Sequence, residues 1–221
     1  MSNYFSKLPD FNYVSRLPDA KISDYITVKN LFKRGFLRED IFQDLTFFTK
    51  YQIKGDDRPD NVAHEIYRDK NLDWLVLVSN NIVNIHSEWP LSQRQLDEYL
   101  LDKYENFNTI YNEIHHYETT EVKNSKGIVV VTEGMQVESD YSIQFYDSDE
   151  ERYTIEYPVI PVTNYEYELR LEEEKRNIFL LKPRYVNVAK DDLEEMMTYG
   201  KGSTQYISET LKSADNIRLF Q

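Results

Sequence analysis

The rhythm of hydrophobic and polar positions changes three times along this chain. Over the first 30 residues no period holds: Tyr4, Phe5, Phe11, Tyr13 and Tyr25 are scattered among polar positions. Leu-Pro-Asp occurs twice, at Leu8–Asp10 and Leu17–Asp19. Each proline fixes φ and biases the residue before it to extended geometry. Disordered segments are poor in aromatics. Residues 1–30 therefore read as an extended N-terminal arm that needs a surface to lie on, with Tyr4, Phe5, Phe11 and Tyr13 as its interface anchors.

From residue 31 the period becomes helical. Phe36, Leu37, Ile41, Phe42 and Leu45 suit a short helix, and Thr46–Ile53 reads as a strand ending near Tyr51–Lys54. Gly55 permits a tight turn. Asp57 is placed to cap a helix with Pro59 in its first turn, where a missing N–H costs little. Val62, Ala63, Ile66 and Tyr67 share one face of that helix. Asn71 is placed to cap a second helix carrying Leu72, Leu75, Val76 and Val78, ended by Asn80-Asn81. After Trp89-Pro90, Ser92 and Gln95 have capping-box spacing before a third helix with Leu96, Tyr99, Leu100 and Tyr104.

Near residue 110 the period shortens to two. Glu113–Lys123 and Gly127–Gly134 flank a turn at Asn124–Gly127, and Tyr141–Tyr146 and Arg152–Tyr157 flank the acidic turn Asp147–Glu151. Thr163 can cap a charge-rich helix over 164–177 whose Glu172-Glu173-Glu174 reads as a solvated face. A short strand, Ile178–Lys182, and a last helix, Val188–Tyr199, follow, with Gly200 as its stop. The pattern predicts an α+β chain: the arm 1–30, a helical domain 31–106, a β-hairpin-rich region with C-terminal helices 107–200, and a flexible tail 201–221 with Ile217–Phe220 as an anchor.

Composition narrows the function. A 221-residue chain can bury roughly 70% of its unfolded surface, enough for a true core. It has no Cys, so no disulfide, thiolate zinc site or cysteine nucleophile is available. The net charge of −13 opposes binding to nucleic acid or anionic membranes. No apolar leader opens the chain, and its longest apolar run, Trp74–Val78, is too short to span a bilayer. With 18 Tyr and 11 Phe, the chain is rich in the residues that favour protein interfaces.

Candidate chemistry is thin. His64–Arg68 opens like a zinc protease motif, but Arg68 stands where the second His is required. His115 and His116 are adjacent in a predicted strand, which points them to opposite faces. Asp147–Glu151 lacks the glycine and terminal glutamate of a calcium loop. No nucleophile elbow or phosphate-binding glycine loop occurs. No enzyme, metal or cofactor is expected.

Two resemblances remain. Tyr51, Ile53, Gly55, Asp56, Ala63, Ile66, Tyr67, Trp74, Leu77 and Asn80 follow the order of a LysM module: strand, turn, two helices, then an Asn before a strand. That resemblance implies a fold core of Ile66, Tyr67, Trp74 and Leu77, and a glycan-binding groove in many members. Arg58-Pro59 departs from the usual Thr/Ser cap, which weighs against sugar binding.

The broader resemblance runs through FKR at 32–34, YQIKGDDRPDNVAHEIY, NLDWLVLVSNNI, WPLS and Tyr99…Tyr104. It resumes in VTNYEYELRLEEEKRNIFLLKP and DDLEEMM. In these the chain resembles the baseplate wedge subunit of T4-type contractile-tailed phages. The resemblance implies a non-enzymatic virion protein that joins wedge core proteins and links neighbouring wedges around the central hub. Its implied partners are the wedge core heterotrimer and a small lysozyme-like, sheath-initiating wedge protein, in a six-fold assembly. A LysM-type peptidoglycan-binding protein is the alternative.

Overall fold

The structure is a computed structural model that describes residues 4–21, 23–147, 151–202 and 205–213. The middle of the acidic turn (148–150) and the proposed anchor Ile217–Phe220 lie outside the described residues. In chain order the first elements are α1 (Tyr4–Lys7), β1 (Asp10–Val14), β2 (Tyr25–Lys29), α2 (Glu39–Phe42), β3 (Phe48–Gln52), α3 (Pro59–Tyr67), α4 (Asp73–Ser79) and α5 (Ile85–Glu88). Next come α6 (Gln93–Tyr104), α7 (Phe107–Tyr111), β4 (Ile114–Thr119), β5 (Val122–Lys123), β6 (Val129–Val131), β7 (Gln136–Val137), β8 (Ile143–Asp147) and β9 (Arg152–Glu156). The chain closes with β10 (Val159–Thr163), α8 (Asn164–Lys175), β11 (Asn177–Leu181), α9 (Val186–Met196), β12 (Tyr206–Ser208) and β13 (Leu211–Ser213). The mixed helix and strand content is that of an α+β protein.

The chain forms two units. One joins residues 1–89 to 177–221, and the other is the stretch 90–176 between them.

In the first unit, β3 and β11 pair antiparallel from Phe48↔Leu181 to Gln52↔Asn177. Helices α3 and α4 follow β3 directly. Pro59 takes the first position of α3, where the absent N–H is harmless. The cap residue is Arg58, with no side-chain cap bond, and not Asp57. Asn71 does not cap α4 either: Asp69 accepts from the Asn71 amide, capping a single 3-10 turn that leads into it. α4 is buried on most of its circumference at Trp74, Leu75, Val76, Val78 and Ser79, as a helix made of Trp-Leu-Val-Leu-Val must be. Asn80 ends α4 and ties it to β11: its Nδ2 donates to the Phe179 carbonyl at 2.9 Å, and the Phe179 amide donates back at 2.7 Å.

The segment expected as an extended arm is built into this unit. β1 pairs antiparallel with β2 over Asp10–Val14 and parallel with β13 at Asp10–Asn12, in a sheet ordered β12-β13-β1-β2. Leu8 and Val14 are buried. Residues 206–213, expected within a flexible tail, supply two strands of that sheet. Local sequence hides this, because β1 finds β13 two hundred residues away and the strands are too short to set a period. The unit's core gathers Leu37, Ile41, Val62, Leu75, Leu181 and Leu193, among others.

The second unit opens with α6. Ser92 accepts from the Gln95 amide while the Gln95 side chain accepts from the Ser92 amide, the expected capping box. Thr163 and Glu166 cap α8 in the same way. The first expected hairpin is divided: β5 pairs β6, whereas β4 lies between β10 and β7. The second forms as expected, β8 with β9. Leu96, Leu100 and Ile110 form a small core with Leu91, Tyr165 and Leu169.

Candidate functional site

In the first unit, Trp74 is buried, and Ile66, Tyr67 and Leu77 pack against the same core. The Tyr67 hydroxyl donates to the Leu181 carbonyl at 2.8 Å, and burial pushes its phenol above the ordinary range. Tyr4 lies 5.9 Å from the Trp74 ring, and its hydroxyl accepts from the Gly35 amide at 2.9 Å. Phe5 is exposed, and Phe11 and Tyr13 are half-buried in an edge-on pair. Of the four expected anchors, Tyr4 packs against the core, Phe5 is exposed, and Phe11 and Tyr13 lie between these extremes. Tyr4, Phe5, Leu31, Trp74, Leu77 and Val83 line a groove of about 430 Å³ together with Lys33, Arg34 and Asp73.

His64 is exposed on α3, and Arg68 takes a left-handed conformation (φ 60°) as the helix cap. Gly55 at φ +53° makes the turn after β3. Among the described residues, no three His, Asp or Glu stand together so as to hold a metal ion. No helix among them is long and apolar enough to cross a membrane.

In the second unit, His115 and His116 do not point to opposite faces. The ladder with β10 slips between Val162 and Thr163, opposite Ile114 and His116, which leaves His115 as a bulge. The two rings meet at 2.9 Å between Nδ1 atoms, and His115 stacks on Tyr167 at 3.9 Å. His116 Nε2 contacts Glu118 at 2.9 Å, and Arg170 donates to both Glu118 oxygens at 2.6 Å. Those bonds from Arg170 hold the Glu118 carboxyl below the ordinary range.

Helix α8 also departs from expectation. Its face is not solvated throughout: Asn164, Glu168 and Glu172 are buried at spacings of four. Glu168 accepts from Lys103 Nζ at 2.6 Å and from the Tyr104 hydroxyl at 2.9 Å. Glu172 accepts from the Leu91 amide at 2.9 Å and from Lys175, and Asn164 donates to the Thr109 carbonyl at 2.8 Å. The Glu168 hydrogen bond raises the Lys103 pKa. A period-four row of polar residues is the signal that would have revealed this stripe.

The remaining feature is surface. In β8–β9, Tyr146 stands opposite Tyr153 and Gln144 opposite Ile155, so these four share one face, and Tyr157 follows directly after β9. Tyr146, Tyr153, Ile155 and Tyr157 are 53%, 68%, 55% and 71% exposed. Alternation carried the signal in β9, where Tyr153 and Ile155 are two residues apart; in β8 the alternating apolar residues Ile143 and Phe145 fall on the other face, and nothing local marked Tyr146. The charge is as uneven as the surface. Residues 90–176 hold 20 Asp and Glu against 8 Lys and Arg, a balance of −12, while the other unit holds 19 against 18, a balance of −1.

Packed cores, paired carboxylates and outward aromatics are what the described residues present. The family described as Base plate wedge protein 53 matches residues 5–198, and the chain belongs to that family of phage base plate wedge proteins. Its place is therefore the phage tail base plate, among other base plate proteins. Against the curated proteins the chain finds no match.

Proposed function

We propose that this chain is a structural, non-catalytic subunit that joins wedge core proteins and links neighbouring wedges around the central hub as the tail assembles. The match to base plate wedge proteins over residues 5–198 carries the reading. The wedge core heterotrimer and the small lysozyme-like, sheath-initiating wedge protein are its partners, repeated six-fold. The order β3, α3, α4, β11, with Asn80 clamped to β11, supports a LysM-like unit cored by Ile66, Tyr67, Trp74 and Leu77. In this reading the unit serves protein contact. Phe5, Phe11 and Tyr13, with Tyr4 beneath, offer a contact edge beside it.

The test is co-expression of the full chain with the neighbouring wedge proteins of its phage, followed by size exclusion with light scattering. Deleting residues 1–30 would be a poor variant, because β1 lies inside a four-stranded sheet. A stable complex of defined stoichiometry is expected. A chain that stays alone in every mixture yet is retained on peptidoglycan would replace this reading with the sugar-binding one.

A further inference from the structure

We infer that the outer face of the β8–β9 hairpin is a docking surface for a basic patch on another base plate wedge protein, an inference that rests on the assembly role proposed above. The face is built by register. Tyr146 and Tyr153 are cross-strand partners with rings 5.2 Å apart, Ile155 is on the same face, and exposed Tyr157 follows the strand. None of these side chains is charged, and all are more than half exposed.

The opposite face explains why the hairpin holds this shape. Ile143, Phe145 and Thr154 are half-buried beneath it. Asp147 is buried at the end of β8, where it accepts from the Ser125 amide at 3.0 Å and the Ser125 hydroxyl at 2.5 Å. Among the described residues β8 and β9 pair only with each other. A two-stranded ribbon is marginally stable in water and gains from being covered. Three exposed tyrosines and an exposed isoleucine match the composition of an interface centre, which is aromatic and depleted in charge.

The unit's charge selects the occupant. Glu151, beside the turn, and Glu156, at the far end of β9 on the side opposite the tyrosines, are both exposed, in a unit whose balance is −12. Nucleic acid and anionic lipid would meet repulsion here. A second copy of the same face would set acid against acid. A surface bearing Lys or Arg gains on both counts: its cations meet an acidic unit, and a guanidinium can also stack on tyrosine rings.

The experiment titrates the full chain against each wedge protein of its phage, at low and at physiological salt. It compares the wild type with Tyr146→Ser/Tyr153→Ser and with Glu151→Lys/Glu156→Lys. Loss of two central aromatics should weaken binding by roughly thirtyfold or more. The charge reversal should weaken it less and flatten its salt dependence. Near-ultraviolet circular dichroism of the free variants checks that they fold. Should the tyrosine variant fail to fold, hydrogen exchange of the wild type decides: amides of 143–147 and 152–156 should slow in the complex. A wild-type complex whose affinity neither variant changes, or whose hairpin amides exchange as in the free chain, overturns the docking surface and leaves the assembly role standing. A free-chain dimer that the tyrosine variant abolishes assigns the face to a second copy and overturns it too. If the wild type binds no wedge protein, the assembly role itself falls.

Discussion

The unit formed by residues 1–89 and 177–221 is nearly neutral and buries Leu, Ile, Val and Trp side chains in one large cluster. The unit formed by residues 90–176 carries nearly all of the chain's net negative charge, and its helix α8 turns Asn164, Glu168 and Glu172 inward. The first is held by apolar burial, which is non-directional and scales with area. The second leans on directed hydrogen bonds to carboxylates, whose removal strands their partners. Self-repulsion among its carboxylates also works against compactness. An acidic, tyrosine-faced unit of this kind is suited to be completed by partners, while the apolar unit can stand as the scaffold.

The sharpest way to break that contrast is to cut into the scaffold. Both tryptophans, Trp74 and Trp89, lie in the first unit, so tryptophan fluorescence reports on it alone. Trp74→Ala should cost about 3–5 kcal/mol in denaturant unfolding followed through Trp89. Hydrogen exchange in residues 90–176 should be unchanged; coupled loss of both would mean that the two units fold as one.

Gly35→Ala probes the same core by excess and not by loss. An added Cβ would sit 2.2 Å from a Leu193 methyl, with Met197 also close. The leucine must shift within a packed interior, and a cost of about 1–3 kcal/mol is expected by thermal melting. A neutral result would show that this end of α9 is loosely packed.

In the second unit, Glu168→Ala removes the acceptor shared by Lys103 and Tyr104. Because Lys103 is partly exposed and can be rehydrated, the loss should be about 1–2 kcal/mol, below the full penalty of a broken buried pair. Glu168→Gln keeps an acceptor oxygen and should lose less. Exchange rates of the α6 and α8 amides distinguish the two. Equal tolerance of both variants would mean that the polar stripe is incidental.

The smallest effect expected is with pH. Hydrogen bonds from Arg170 depress the Glu118 pKa, and those from the Thr163 amide and hydroxyl depress that of Glu166. A carboxyl with a depressed folded-state pKa adds stability above its ordinary value, here 4.5, and loses it as pH falls below that value. Acid should therefore fray the first turn of α8, seen as amide shifts at Thr163 and Glu166, while relief of carboxylate repulsion keeps the net loss small. A first turn of α8 that persists under those conditions would show that packing, and not the cap, holds it.

Much of the fold follows from local pattern. The capping boxes at Ser92 and Thr163, the helices α3, α4 and α6, the β8–β9 hairpin and the buried Trp74 each depend on residues a few positions apart. Family membership is also carried by short runs in order along the chain. Tertiary structure decided the rest. β1 became an inner strand only because β13 came to lie beside it, and β3 obtained its partner β11 from across the whole second unit. The bulge that brings His115 to His116 exists because β10 slips by one residue. Glu168 and Glu172 went inward because Lys103, Tyr104 and the Leu91 amide were there to receive them. Periodicity records which face of an element is apolar, but pairing across long separations depends on which groups the folded chain brings into reach.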